Sequence, residues 1–364
     1  MEFRAFDPAS FLKEEWESAR QHHEEWWARD GLVFWVTAPR ETGGPIPPAP
    51  GPPADLEERW YGAAYRAALA EYTALSTYWG GDAFPMVSGW SAAGDLGTFL
   101  GSRVELEPQT VWMHPTMDDP DAVRAIELDR ENPWLARHFE MAKAMVERSE
   151  GRYYVGMPDL AENIDVLASL RGTASLLMDM IDRPEWVEAR LREINVAYYE
   201  AFDLFHDLVR DQAGGNTFVF NLWGPGRTAK VQCDACSMFG PDFFRRFVTP
   251  ALTEQCEWLD YSMFHLDGES CLPNLEALLE IAPLHAVEWT PSKLSVGESG
   301  GMPKWYDLYR RVLAAGKSVQ AIGVEPDEVI PLLDACGPKG MYITCRAESE
   351  AQARELEDKV NGHR

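Results

Sequence analysis

The residues best suited to chemistry lie in the segment Tyr261–Glu269 (YSMFHLDGE), which has the pattern of a strand followed by a turn. His265 and Asp267 are two positions apart, and side chains at that spacing on an extended strand point the same way. An imidazole and a carboxylate side by side suit one divalent metal ion. Catalytic zinc takes three N, O or S ligands and keeps one position open. Cys345, at the end of the neighbouring last strand, could supply the third ligand, so the sequence predicts a zinc site of His265, Asp267 and Cys345.

The same three residues also fit ordinary structural roles. His265 could hydrogen-bond an acidic neighbour, Asp267 could cap the helix that follows, and Cys345 could pack as a small apolar residue. HxD pairs are common in proteins. The spacing alone therefore leaves both interpretations open.

The elements that must position these residues are strands alternating with helices. Short apolar runs predict eight strands, at residues 31–38, 83–88, 153–157, 218–222, 262–266, 285–289, 318–322 and 340–344. This alternation requires a mostly parallel sheet, and eight such units closing on themselves predict an α/β fold, a single (β/α)₈ TIM barrel. An open doubly wound sheet is the alternative fold. The sequence has neither GxGxxG after the first strand nor GxxxxGK[ST], which nucleotide-binding versions of that fold use.

Two segments near the start of the chain stand outside this alternation. An amphipathic pattern over 8–29 predicts a helix, so we expect an N-terminal helical extension at 1–30 and a barrel domain at 31–364. The stretch 39–53 is rich in Pro and Gly and follows the first strand. A loop of that length predicts a lid or substrate loop on the catalytic face.

Chemistry in a (β/α)₈ barrel is built where the strands end. The residues predicted to be catalytic are Asp82, Asp234 and Glu288, and those predicted to bind substrate are Asp159, Asn221, Trp223 and Trp289. Asp234 could act as a general acid or base, or complement the dipole of the following helix. The two glycines before Asp82 either let the backbone approach a ligand or form a turn. The tryptophans, with Trp90 and Trp112, either line an apolar pocket or belong to the core.

The overall charge limits the partners. With 59 acidic and 33 basic residues, the formal net charge is -26, which would repel nucleic acid and anionic membrane surfaces. No apolar run approaches the roughly 20 residues of a spanning helix, and the start Met1–Arg4 lacks the features of a signal peptide. The six cysteines suggest reduced thiols rather than a disulfide framework. We therefore expect a cytoplasmic protein that acts on a small molecule.

One segment resembles a known family. Gln232–Pro250 (QCDACSMFGPDFFRRFVTP) resembles the "D…S…isPemFreFvlPyl" segment of the uroporphyrinogen decarboxylase superfamily, and Phe264–Gly268 falls where those proteins carry H-x-C-G. Looser matches are Gly81–Pro85, Leu96–Gly101 and Gly323–Leu333. The resemblance covers the chain from about residue 60 onward. It implies a (β/α)₈ barrel, in agreement with the strand count.

The superfamily holds two chemistries, cofactor-free decarboxylation of a porphyrinogen and zinc-dependent methyl transfer between a corrinoid protein and a thiol. Porphyrinogen carboxylates need Arg or Lys clusters, but residues 36–44 hold one Arg where decarboxylases carry an arginine-rich turn. The methyltransferase branch resembles this chain better. Its zinc ligands map onto His265, onto Asp267 in place of a Cys, and onto Cys345. Such a set is harder and more Lewis acidic than one with two thiolates.

The leading hypothesis is therefore a zinc-dependent methyltransferase of this superfamily that transfers a methyl group to or from a corrinoid or thiol acceptor, with a corrinoid protein as a partner. Asp82 and Asp234 would position substrate or handle protons. A metal-free decarboxylase or lyase acting on a small carboxylic acid is the second hypothesis, and a non-catalytic binding subunit is the third. Symmetric dimers are common among barrels, so a homodimer is one expectation, although the sequence identifies no interface.

Overall fold

The computed structural model describes residues 11–89, 94–122 and 125–364. Its strands are β1 (Val33–Pro39), β2 (Thr77–Gly81), β3 (Met86–Val87), β4 (Arg103–Leu106), β5 (Val111–His114), β6 (Tyr154–Val155), β7 (Asn216–Phe218), β8 (Leu222–Gly224), β9 (Thr228–Gln232), β10 (Tyr261–Asp267), β11 (Ala286–Thr290), β12 (Ser318–Val324) and β13 (Met341–Arg346). Trp90 and residues 1–10 of the predicted N-terminal extension lie outside the described residues.

Seven of these strands form one sheet, in the order β2-β1-β13-β12-β11-β10-β9. All neighbours in it are parallel except β1 and β2, which pair antiparallel. Short pairs accompany the sheet, with β3 and β6 parallel and both β4–β5 and β7–β8 antiparallel. The expected α/β class with a mostly parallel sheet is therefore confirmed.

The helices that alternate with the strands are α1 (Trp16–Trp27), α2 (Leu56–Tyr61), α3 (Ala63–Ser76), α4 (Asp95–Phe99), α5 (Pro133–Ser149), α6 (Asn163–Arg171), α7 (Thr173–Asp182), α8 (Pro184–Val209), α9 (Pro241–Phe243), α10 (Thr249–Trp258), α11 (Leu275–Leu279), α12 (Tyr306–Ala314), α13 (Val329–Cys336) and α14 (Glu350–Asn361). Several begin where a polar side chain satisfies free amides. Asn132 accepts from the N–H of Trp134 at 2.8 Å, and Ser349 accepts from Gln352 at 3.2 Å. None of the described helices has the length and apolarity needed to cross a membrane.

Helix α1 lies against the amino ends of the parallel strands. The indole of Trp26 donates to the carbonyl of Gly340, just before β13, at 3.1 Å. The backbone carbonyl of Trp26 accepts from the hydroxyl of Ser318, at the start of β12. Trp27 donates to the carbonyl of Trp223 at 2.9 Å. The N-terminal helix is therefore present over Trp16–Trp27, shorter than the 8–29 expected, and it covers the end of the sheet opposite the carboxyl ends.

Three parts of the fold differ from what the apolar runs predict. Strand β2 is absent from the predicted strands, although α3 ends at Ser76 and Thr77 to Gly81 pair with β1. The strand predicted at 218–222 is instead the tight connection between β7 and β8. Strand β9 was not predicted, since Lys230 and Gln232 interrupt its apolar pattern.

Candidate metal centre and active-site cavity

Five polar side chains occupy one level across the parallel sheet. The register of β9 to β13 places one residue from each strand side by side, and these five are Gln232, His265, Glu288, Gln320 and Tyr342. Residues in register on adjacent strands point to the same face of a sheet. Buried polar groups need partners, so a whole level of them marks a built site rather than a plain core.

A cavity of about 410 Å³ opens beside this level, at the carboxyl ends of the strands. Its lining residues are Met86, Ser88, Asp159, Val219, Phe220, Asn221, Gln232, Asp234 and His265. The volume suits a small molecule. Four residues predicted from the sequence, Asp159, Asn221, Asp234 and His265, are thus brought together here.

Asp234, His265 and Asp267 form a cluster at this cavity. One potential ligand atom from each lies within 4.8 Å of the others, and no other group of this kind occurs among the residues that the structure describes. His265 and Asp267 share one face of β10, as their spacing predicted. Asp234 comes from the turn after β9, two residues beyond Gln232, which is the register partner of His265.

The orientation of His265 is fixed from two sides. Its Nδ1 hydrogen-bonds the fully buried carboxylate of Glu288, which also accepts from the hydroxyl of Thr290 at 2.7 Å. The ring of Phe220 stacks on the imidazole with 4.6 Å between centroids. Burial opposes the charged imidazole, but the Glu288 carboxylate outweighs burial and raises the pKa of His265. These contacts leave Nε2 of His265 as the atom available to a metal ion.

Asp234 is exposed to the cavity but surrounded by protein on its other sides. Burial, followed by repulsion from Asp165, raises the pKa of Asp234 to about 6. Asp165 accepts from the backbone N–H of Asp234 at 2.8 Å, and the amide of Gln232 donates to both carboxylates, at 3.1 Å to Asp165 and 3.0 Å to Asp234. The carboxylate of Asp234 is therefore held in place on the cavity wall.

Lys230 is a functional candidate that sequence reasoning missed. It is fully buried, and its Nζ lies 2.7 Å from Oδ1 of Asp159. Burial lowers the pKa of Lys230, but Asp159 and Glu162 outweigh it and raise the value. Burial raises the pKa of Glu162, whose Oε2 accepts from the N–H of Gln232 at 2.9 Å. The signal was available, since Thr228, Lys230 and Gln232 alternate with apolar residues as in a strand.

The turn between β7 and β8 supplies Val219, Phe220 and Asn221 to the cavity. Phe220 and Asn221 adopt left-handed backbone conformations, with φ of 62° and 60°. Two side chains of the polar level hold this turn, because Gln320 donates to the carbonyl of Phe220 at 2.7 Å and Tyr342 to that of Asn221 at 2.6 Å. Strained conformations of this kind persist where surrounding contacts over-determine them.

The predicted metal ligand Cys345 is not part of the cluster. Strand β13 is separated from β10 by β11 and β12, so it is not the neighbouring strand that was expected. Side chains alternate along a strand, and Tyr342 points inward to Asn221, so Cys345, three positions later, points to the opposite face. It is buried there, where burial, followed by Glu325 and Glu328, raises the pKa of its thiol.

Asp82 lies away from the cavity, near the amino ends of the strands. It accepts from the backbone N–H of Phe34 at 2.7 Å, lies 2.6 Å from Nδ1 of His22, and pairs with Arg364. It lines a different cavity of about 630 Å³, between α1, β2 and α14. The structure therefore places Asp82 apart from Asp234 and His265, with which the sequence grouped it.

The predicted substrate-binding tryptophans are core residues. Trp223 is buried, contacts Trp16 edge to face, and donates to Asp211 at 3.4 Å. Trp289 is buried against Trp305, because it alternates with the inward-facing Glu288 along β11. Neither ring lines the 410 Å³ cavity.

The sequence matches no protein-family model and no curated protein. Among solved structures, it is similar to a GH138 enzyme targeting pectin rhamnogalacturonan II, with 11% sequence identity and a TM-score of 0.37. The similarity covers 86% of this chain and 34% of the other, so the chain spans about a third of that enzyme's length. A likeness at this level identifies neither a family nor an activity.

Proposed function

We propose that the chain is a metal-dependent enzyme whose divalent ion is held by Asp234, His265 and Asp267. One observation carries this proposal, the convergence of three potential ligand atoms within 4.8 Å beside a cavity of small-molecule size. The donor set fits a metal ion, since imidazole nitrogen and carboxylate oxygen both bind zinc, and three protein ligands leave one position open. Oxygen-rich sets of this kind also accept manganese or iron.

The surrounding residues would orient this donor set. His265 would bind through Nε2, because Glu288 holds Nδ1 and thereby fixes the tautomer. Thr290 in turn holds Glu288, so we expect the pair to position His265 rather than to touch substrate. When bound, a divalent ion would lower the pKa of a coordinated thiol or water and so supply a nucleophile near neutral pH.

The reaction proposed is the transfer of a methyl group to or from a corrinoid or thiol acceptor, with the corrinoid carried by a partner protein. Its support is the resemblance of Gln232–Pro250 to the uroporphyrinogen decarboxylase superfamily, together with the position of His265 and Asp267 in the next strand. Asp234 in place of Cys345 makes the donor set wholly N and O, which favours a Lewis-acidic ion over an electron-rich one.

The same proposal takes the fold to be a (β/α)₈ barrel. Its support is the parallel pairing of β1 with β13, together with hydrogen bonds that link the smaller pairs to one another and to the main sheet. Met157 donates to the carbonyl of Thr217 in β7 at 2.9 Å. The side chain of Asn216, also in β7, bonds both backbone groups of Thr228 in β9 at 2.9 Å.

The test is the metal content of the purified protein, measured by plasma mass spectrometry after zinc loading and dialysis. We expect about one zinc per chain in the wild type and in Cys345→Ala, and a loss in Asp234→Ala, His265→Ala and Asp267→Ala. Loss in Cys345→Ala with retention in Asp234→Ala would instead favour the ligand set expected from the sequence. A folded wild type that takes up no metal would contradict the proposal and favour the metal-free lyase, which keeps its activity after chelation.

A further inference from the structure

Carboxylates outnumber cationic groups around the 410 Å³ cavity. Those on or directly behind its walls are Asp159, Asp165, Asp234, Asp267 and Glu288. The ammonium of Lys230 is already paired with Asp159 at 2.7 Å, and the imidazole of His265 is paired with Glu288. The net charge of these side chains therefore stays negative even when a divalent ion is bound.

Two of these carboxylates are held next to each other at the wall. The single amide of Gln232 donates to Asp165 and to Asp234, and backbone N–H groups fix Asp165 from behind. Amide donors stabilise carboxylates without cancelling their charge. The potential that a ligand meets on entering is consequently negative, and a protein with a net charge of -26 adds to it.

The remaining walls are apolar or uncharged. Met86, Val219 and Phe220 supply apolar surface, and Ser88 and Asn221 supply uncharged polar groups. Apolar walls with a few placed polar groups are typical of small-molecule sites, and apolar surface beside carboxylates suits a cation that carries methyl or methylene groups.

We infer that the cavity binds a small organic cation of the alkylammonium class in preference to a carboxylate of the same shape. The inference deepens the proposed function, since it concerns the substrate of the same site. A carboxylate would meet like charges on the walls, whereas an alkylammonium group places its charge near them and its methyl groups against Met86, Val219 and Phe220.

Three probes of nearly equal shape test the inference, choline, 3,3-dimethylbutan-1-ol and 3,3-dimethylbutyrate, which are cationic, neutral and anionic. Their affinities for the full-length protein would be measured by isothermal titration calorimetry. We expect choline to bind at least about tenfold more tightly than 3,3-dimethylbutyrate, a difference of about 1.4 kcal/mol, with the alcohol between them. Equal or tighter binding of 3,3-dimethylbutyrate would overturn the inference, as would the binding of none of the three.

Charge variants tie the preference to the cavity. Asp159→Asn releases the positive charge of Lys230 and should reduce the choline preference by about tenfold or reverse it. Asp358→Asn, on the exposed side of α14, changes the net charge equally and should leave the preference unchanged. If Asp159→Asn does not fold, Asp234→Asn removes a charge from the wall itself and should weaken choline binding in metal-free protein. Unchanged preference in the folded cavity variants would refute the inference.

Titrations of chelated and of zinc-loaded protein separate this inference from the proposed function. A choline preference in protein that takes up no zinc would sustain the inference while the metal-dependent function fails. Zinc binding together with a preference for 3,3-dimethylbutyrate in both states would refute the inference while the metal site stands.

Discussion

Replacing Lys230 by Met should lower the free energy of unfolding more than almost any other single substitution in the sheet. The methionine keeps most of the apolar volume and removes the ammonium, which leaves Asp159 and Glu162 as buried carboxylates without a cation. At 2.7 Å and an effective dielectric constant of about 20, the attraction to Asp159 alone is about 6 kcal/mol. Proton uptake by the carboxylates offsets part of this, so we expect a net loss of about 3–5 kcal/mol in the free energy of unfolding.

The assay is urea-induced unfolding at pH 7.5, followed by tryptophan fluorescence, with Lys359→Met as the control. Lys359 pairs with Glu355 on the exposed face of α14, and its loss should cost less than about 0.5 kcal/mol. The double variant Lys230→Met/Asp159→Asn should recover part of the loss, because it removes a carboxylate that lacks its partner.

The loss should also depend on pH. Without Lys230, the buried carboxyl groups have pKa values above those of the unfolded chain, so the folded state binds more protons and the deficit shrinks from pH 8 to pH 5. A deficit below about 1 kcal/mol at pH 7.5, or one that is independent of pH and of Asp159, would refute the reasoning about a buried ion pair.

Three further changes test other contacts of the structure. Burial lowers the pKa of His23 to about 4, so about 3 kcal/mol of stability should be lost as the pH falls from 6.5 through 4, and thermal melting of His23→Gln should show a flatter pH profile. Gly81→Ala should cost more than about 2 kcal/mol in urea unfolding, because φ is 56° and the added Cβ would lie 2.4 Å from a backbone oxygen, whereas the open site of Gly44→Ala should cost little. Tyr342→Phe should cost about 1–3 kcal/mol by leaving the carbonyl of Asn221 without its donor, and an unchanged unfolding curve would contradict that role.

The strands of the main sheet could largely be predicted from the sequence, because continuous apolar runs mark parallel strands that are buried on both faces. The runs at 262–266, 285–289, 318–322 and 340–344 coincide with β10 to β13. The pairing of His265 with Asp267 followed from the same reasoning, since it depends on the period of one strand. The position of a strand and the face on which its side chains lie could therefore be predicted from the sequence.

Relations between distant segments could not be read in the same way. The partner Asp234 comes from a turn whose direction depends on β9, and Lys230 within β9 hides the strand from a search for apolar runs. Cys345 and Asp82 were assigned to the site by proximity to strand ends, but alternation turns Cys345 outward and the β1–β2 pairing takes Asp82 to the other end of the sheet. The resemblance to the uroporphyrinogen decarboxylase superfamily stays a prediction.

The pairing of β1 with β13 joins two strands that are synthesised far apart in time. Val33 is in register with Tyr342, so the first strand of the sheet meets its parallel neighbour across almost the entire sequence. During synthesis, β1 emerges with only β2 to cover one edge, and its other edge waits for the last strand. Contacts of such large sequence separation form slowly and late. Until β13 has been synthesised, the nascent chain therefore presents an open edge of β1, where chaperone binding or aggregation can begin.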